Sequence, residues 1–418
     1  MGTYLTRYWL SDGFGMNKAE RMGGAYHPYV PDTLSNYEPM LSAACSDAVS
    51  YAQEALSRLD GSRTLVDTEP LARLLLRAEA VSSSRIEGLE MPASKLLEYE
   101  ELDRLGVEHR LDGTEAQVLG NLHALTMSFD RVNEGSRITL DLICELNKTL
   151  LQGTHLDNVG GRLRTDQNWI GGNRVNPVGA VYVPPMPEVV PALMEDLVEF
   201  LASTELPPVA AAALAHAQLE TIHPFADGNG RVGRALVHVV LKAAGYSQST
   251  VPPVSLVLAT DRERYIANLE AYRCEGDDGR CDSVNGWIEY FANMLAISCD
   301  RAEEFERSLL RIRDGWLART SFRSDSAARR LCDLLLGTPA ISIKTAQALT
   351  GRSYPAARSA VIACEEAGIL RQNAKNRKSG IYVADEVIAA FNAYERSLAT
   401  LGGDTSVEKP RRHVPQRR

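Results

Sequence analysis

Apolar residues recur three and four positions apart along most of this chain, so the expected fold class is mainly α. From about residue 35 to 59 the spacing turns helical, and a Gly61-Ser62 break follows. A second helix starts near Pro70, a good first-turn residue, and runs through Leu71, Leu74, Leu75 and Ala78. It leads into Val81-Ser-Ser-Ser-Arg-Ile-Glu-Gly88, which on local grounds is a helix closing at a C-cap glycine. Beyond a polar stretch at 103–112, helices are predicted over 114–132, 139–151 and 187–202. An Ala-rich apolar helix at 208–222 and a buried helix at 232–244 follow. Helical spacing resumes at 255–258, 261–273 and 284–319, the last strongly charged toward its end.

Three stretches break the helical pattern. Residues 1–35 are rich in Gly, Tyr and Pro, and 25–31 is expected to be extended because each proline biases its predecessor away from helix. Residues 160–185 alternate Gly, Asn and Pro turns with short β-branched runs, which predicts a hairpin in an otherwise helical chain. From Ser326 the order is helix, short helix, turn, helix and a two-stranded wing, the pattern of a winged helix-turn-helix. The expected division is an arm at 1–35, a helical region at 36–112, a core at 113–300, a helical linker at 301–325, the winged module at 326–395 and a disordered tail at 396–418.

Composition narrows the function classes. The 418 residues are 44% hydrophobic and 24% charged, ordinary for a soluble globular protein. A net charge of −9 argues against bulk nucleic-acid or anionic-membrane binding. No N-terminal window has the layout of a signal peptide, and no apolar run reaches the ~20 residues of a membrane helix. The seven cysteines are scattered and lack paired metal-site spacing, so reduced thiols in a cytoplasmic protein are expected.

The candidate chemistry lies in His223-Pro-Phe-Ala-Asp-Gly-Asn-Gly-Arg-Val-Gly-Arg234, between the two buried helices. Gly228 and Gly230 permit a close backbone approach, and the start of the following helix offers N–H groups to an anion. Arg231 and Arg234 share one face of the first turn and suit phosphate oxygens. Asp227 is a hard oxygen ligand suited to Mg2+, and His223 is expected to take a proton near neutral pH. A glycine-rich helix cap with a structural His is the bland alternative, which a lone GxG would favour.

The whole stretch resembles the signature of the Fic family, HxFx(D/E)GNGRxxR, at every specified position. That resemblance implies an all-helical Fic core with a β-hairpin flap and an ATP-dependent, Mg2+-assisted transfer of AMP to a Ser, Thr or Tyr hydroxyl of a target protein. It implies that His223 is the base, that Asp227 holds the metal, and that Gly228, Asn229, Gly230, Arg231 and Arg234 bind the ATP phosphates. Ser83-xxx-Glu87-Gly88 is similar to the family's inhibitory pattern (S/T)xxxE(G/N), which implies that Glu87 pairs with Arg234 in place of the γ-phosphate. By the same likeness the stretch from Trp169 to Tyr182 is the flap that holds the target by strand addition. Tyr265, Leu269 and Trp287 resemble the pattern that lines the adenine pocket, although Ile266 stands where a second tyrosine is usual, and a tyrosine packed in the core is the alternative.

The family also contains enzymes that remove AMP or transfer other nucleotides or phosphocholine. A rival of another class is a DNA-binding regulator whose core senses nucleotide. Arg352 and Arg358, with Lys375, Arg377 and Lys378 on the wing, would serve DNA. Glu365 and Glu366 oppose it, and protein contact or homodimerisation is the favoured role for the module.

Overall fold

The computed structural model of the chain describes residues 2–398 apart from 12, 14, 16, 36, 62–68, 106–112, 276–279 and 374–379. Its N-terminal arm holds strands β1 (Gly2–Tyr4), β2 (Arg7–Trp9), β3 (Gly24–Tyr26) and β4 (Tyr29–Pro31), with a short helix α1 (Lys18–Arg21). The strands form two antiparallel pairs, β1 with β4 and β2 with β3. Thr3 faces Val30 in the first, and Tyr8 faces Ala25 in the second. Buried Tyr29 ties the arm down: its N–H donates to Val183 O at 2.9 Å and its hydroxyl to Cys274 O at 2.9 Å.

Helices then dominate, as the spacing predicts for all but α4: α2 (Ala43–Gly61), α3 (Glu69–Ile86), α4 (Ala93–Arg104), α5 (Gly113–Arg131), α6 (Leu140–Leu151) and α7 (Val190–Ser203). They are followed by α8 (Pro208–Ile222), α9 (Asn229–Ala243), α10 (Val254–Leu258), α11 (Arg262–Tyr272) and α12 (Arg280–Ala318). The centre of the core is α8 packed on α9. Every residue of α8 from Val209 to Ile222 is buried, and its run of alanines lets neighbouring helices come close. Opposite, a Cβ on Gly233 of α9 would lie 2.9 Å from His216 Nδ1, so the crossing depends on that glycine. Trp287 of α12 closes the other side and donates Nε1–H to Ala213 O at 2.7 Å.

The 160–185 stretch departs from a regular hairpin. One antiparallel bridge joins Ile170 to Tyr182, and no ladder extends from it among the described residues. Gly171 and Gly172 both take left-handed φ (74° and 72°), and Pro177 lacks an N–H, so the strands cannot continue. Asn173 and Asn176 instead close the loop through side-chain bonds to backbone N–H groups.

The boundary expected at residue 300 falls inside one unbroken helix. Phe305, Leu309 and Trp316 carry an apolar stripe through α12, and Phe305 stacks on Tyr394. The C-terminal module comprises α13 (Ala327–Leu335), β5 (Ala340–Ile341), α14 (Ile343–Thr350), α15 (Tyr354–Glu366), β6 (Arg371–Gln372), β7 (Tyr382–Val383) and α16 (Asp385–Leu398). Its three strands form an antiparallel sheet in the order β5-β7-β6. Lys375, Arg377, Lys378 and the tail from Gly402 lie outside the described residues.

The module grips the second and third long helices. Arg77 of α3 pairs with Glu100 of α4 and donates Nη1–H to Gly337 O at 2.7 Å. Glu101 of α4 is fully buried; it accepts from Ser342 N at 2.8 Å and from the Thr345 hydroxyl.

Candidate active site

Helix α8 ends at His223, whose φ of 51° and ψ of 58° are left-handed. A non-glycine residue there costs on the order of 1 kcal/mol and persists only when its surroundings enforce it. The enforcement is visible. The His223 N–H bonds Leu219 O at 2.8 Å, and Arg164 Nε donates to the His223 carbonyl at 2.9 Å. The ring Nδ1 lies 2.9 Å from Asn168 Nδ2 and 3.1 Å from Asn229 Nδ2. Asn229 is fixed by Phe225, accepting from its N–H at 2.7 Å and donating to its carbonyl at 2.9 Å. The Nε2 edge has no hydrogen-bond partner among the described residues.

The expectation that His223 takes a proton near neutral pH needs correction. Burial, reinforced by Arg164 and Arg273, lowers its pKa to about 3, so the ring is neutral at pH 7. Glu87 acts in the opposite sense and does not prevail.

The loop beyond the histidine turns into α9 through Gly228, whose φ is 82° and whose Cβ would lie 2.5 Å from Leu150. Asn147 braces the turn, donating to Asp227 O at 2.9 Å and accepting from Gly161 N at 3.0 Å. The first-turn N–H groups of α9 have no intrahelical acceptor, which with the helix dipole makes an anion cradle. Arg231 lies beside it, 2% exposed, with Nη2 3.2 Å from Asp227 Oδ2. Its Nε and Nη1 are buried without a partner, a vacancy of donors that a phosphate would fill. Asp227 is 41% exposed, and among the described residues no cluster of three metal-ligating side chains occurs. One carboxylate beside an anion cradle fits a Mg2+ that arrives with its nucleotide.

Arg234 lies deeper, 1% exposed. Its Nε donates to Ser83 Oγ at 2.9 Å, and Nη2 donates to Ser83 O at 2.8 Å and Glu87 Oε1 at 2.7 Å. Glu87 therefore lies over the start of α9: a Cβ on Gly230 would be 2.1 Å from its Oε1. Gly88, with φ of 81°, turns the chain after α3, and Arg262 Nε caps the helix at Ile86 O, 2.7 Å away. Burial pushes the Glu87 carboxyl up, but Arg234, Arg231 and His223 together bring it below the usual range. A second carboxylate, Glu220, stands 3.8 Å from Arg234 Nη1.

Tyr265 is where the sequence expectation and the structure diverge. The ring is 2% exposed, its hydroxyl lies 2.8 Å from His216 Nε2, and it packs against His216 and Trp287. With both faces enclosed it offers no platform for a base in this conformation. Ser83 and Glu87 meet Arg234, Glu87 also lies over Gly230, Asp227 pairs with Arg231 and His223 with Asn229, while Gly228 and Gly88 shape the two turns that carry them. Sequence reasoning missed Arg164, Asn168, Glu220 and Arg273. Arg273 lies 3.8 Å over the Tyr182 ring and bonds Glu220 O at 3.3 Å.

Similarity to known proteins points the same way. Residues 137–241 match the Fic/DOC family and residues 46–130 its N-terminal region. "Protein adenylyltransferase Fic" of Aedes aegypti is 32% identical over 238 residues, covering 54% of this chain and 44% of that protein. The protein of the same name from Drosophila virilis is 34% identical over 178 residues, covering 42% of this chain and 33% of its own length. The chain thus spans less than half of the curated relatives it matches. A crystal structure of a Fic family protein from Desulfovibrio desulfuricans G20 shares the fold, with a TM-score of 0.51 at 19% identity, covering 83% of this chain and 98% of that one. Through the matched segments, the chain carries a Fic N-terminal region followed by a Fic/DOC domain.

Proposed function

We propose that the protein transfers AMP from ATP to a hydroxyl of a target protein and that Glu87 holds this activity in check. The observation that carries it is the position of the Glu87 carboxylate, on Arg234 and over Gly230, beside unpartnered donors of Arg231. An anion-binding site already filled by the chain's own carboxylate is what a phosphate-binding site under inhibition looks like. The relatives named adenylyltransferases support the nucleotide and the reaction class.

In this reaction Arg231 and the α9 N–H groups hold the phosphates, and Arg234 takes the terminal one after Glu87 withdraws. Mg2+ held at Asp227 would neutralise phosphate charge. His223 accepts the target hydroxyl's proton; the oxygen then forms the new bond to the α-phosphorus as the α–β bridge breaks, and pyrophosphate leaves with the electron pair. Positioning and charge stabilisation supply most of the acceleration. Trp169 to Tyr182 would present the target segment. Incubation of the wild type, Glu87→Gly and His223→Ala with α-labelled ATP and Mg2+ tests this: label is expected on protein with Glu87→Gly alone. Absence of label from Glu87→Gly would overturn it.

AMP removal is the second reading, favoured by Glu87 itself. Its carboxylate is held ionised and is 37% exposed, as orienting an attacking water requires. For the C-terminal module, helix, strand, two helices and a paired β6–β7 support a winged helix-turn-helix. Exposed Glu365 and Glu366 favour protein contact, including homodimerisation, over DNA. All seven cysteines are free, which supports a cytoplasmic setting, and no helix among the described residues is long and apolar enough to cross a membrane.

A further inference from the structure

Arg234 carries its charge almost wholly out of water, and Glu87 is its partner at 2.7 Å. The proposed function requires Glu87 to leave, and the inference below rests on that reading. A buried guanidinium that loses its counter-ion either moves toward water or has to be compensated in place. Ser83 does not solve the problem, because it supplies neutral acceptors from the same segment as Glu87.

A second carboxylate is already in position. Glu220 belongs to α8, the rigid helix that also presents His223, and its side chain is 10% exposed. It stands 3.8 Å from Arg234 Nη1, too long for a hydrogen bond while Glu87 is seated on Nη2. The charged and titratable groups around it are Arg234 of α9, Glu87 beyond α3, Arg273 beyond α11, Tyr265 of α11 and Tyr182. Burial raises its pKa to about 7; Arg234 and Arg273 lower it, and Glu87 raises it. One guanidinium therefore serves two carboxylates that repel each other, and removing either strengthens the hold of the other.

We propose that Glu220 is a positioning residue: it becomes the counter-ion of Arg234 when Glu87 withdraws, keeping the guanidinium buried and aimed at the terminal phosphate of a nucleoside triphosphate. Its effect then depends on the third phosphate, because the rest of the nucleotide meets Arg231 and the α9 cradle.

The test compares full-length Glu87→Gly with Glu87→Gly/Glu220→Gln, titrated with ATP and with AMP in the presence of Mg2+. The second substitution is expected to weaken ATP at least tenfold and AMP less than twofold, and to raise KM for ATP while kcat changes less than threefold. Unchanged ATP affinity, or equal weakening of ATP and AMP, overturns the role. If Glu87→Gly binds neither nucleotide, the nucleotide reading fails and this role falls with it. If the double variant does not fold, Glu220→Gln in the wild-type background decides. There Glu87 still holds Arg234, so the melting temperature should stay within 2 °C of wild type, and a large drop would mark Glu220 as a general packing residue.

Discussion

Glu87 Oε1 lies 2.7 Å from Arg234 Nη2 and over the α carbon of Gly230, so one carboxylate blocks both the guanidinium and the entrance to α9. Removing it frees two anion contacts at once. Glu87→Gly is therefore expected to raise protein labelling at least tenfold and to lower stability by only about 1–2 kcal/mol, since Ser83 and Glu220 still face Arg234. Labelling kinetics and urea unfolding of the same variant check both halves.

Asn168 is expected to set the tautomer of His223. Asn229 cannot turn over without losing Phe225, so in this state Nδ1 accepts and the neutral ring carries its proton on Nε2. A base needs the reverse. The buried Oδ1 of Asn168 has no partner; turning that amide would bring Oδ1 to Nδ1–H, at the loss of its Nδ2 bond to Phe225 O and with Asn229 Nδ2 drawing back from the ring. In a Glu87→Gly background, Asn168→Leu should slow label transfer by about 10²-fold, the scale of one proton-transfer contribution. Asn168→Asp should keep activity and move the acid limb of the pH–rate profile upward.

His223 itself should show no titration near pH 6.5. A base works above its pKa, and here that pKa is about 3, with Glu87 the influence that raises it. Activity of Glu87→Gly between pH 6 and 8 is thus expected to lack a limb from this ring. A sigmoid centred near 6.5 that persists when other titratable groups of the site are substituted would contradict the neutral, half-buried histidine.

Stability should fall in acid with a predictable slope. His216 and His223 sit at about 3 when folded and near 6.5 when unfolded, so their contribution is complete above pH 6.5 and is lost as pH falls toward 3. Glu220, raised to about 7, keeps a proton that the unfolded chain releases above 4.5, and so acts in the opposite sense between 4.5 and 7. The three together give a net slope of about one proton, or about 1.4 kcal/mol per pH unit, between pH 4.5 and 6.5. Glu220→Gln should steepen that loss toward two protons, measured by urea unfolding at pH 5, 5.5 and 6.

The glycine-rich loop was legible because its work is local: Asp227, Gly228, Asn229 and the arginines act within one turn of each other. Ser83 and Glu87 were legible only as a pattern, since locally Gly88 does nothing more than end a helix. Arg164, Asn168, Glu220 and Arg273 left no trace in the sequence, because each acquires its role from chain segments far away, as Arg164 does at the carbonyl of His223. Tyr265 was tied to a ligand pocket by resemblance alone, with core packing as the alternative; its surroundings, His216 and Trp287, come from two other helices. The 160–185 hairpin is short, one bridge from Ile170 to Tyr182, because Gly171, Gly172 and Pro177, good turn residues, also stop a ladder.

Helix α12 runs for 39 residues without a break, a strut of about 58 Å. Its first half buries Trp287 in the helical core beside α8 and its second half stacks Phe305 on Tyr394 of the C-terminal module. A continuous rod of this kind cannot fray at one end without loosening its neighbour, so the two parts share their fate on heating. Calorimetry should record a single melting peak for the full chain, and substituting Phe305 should lower it as a whole and not split it in two.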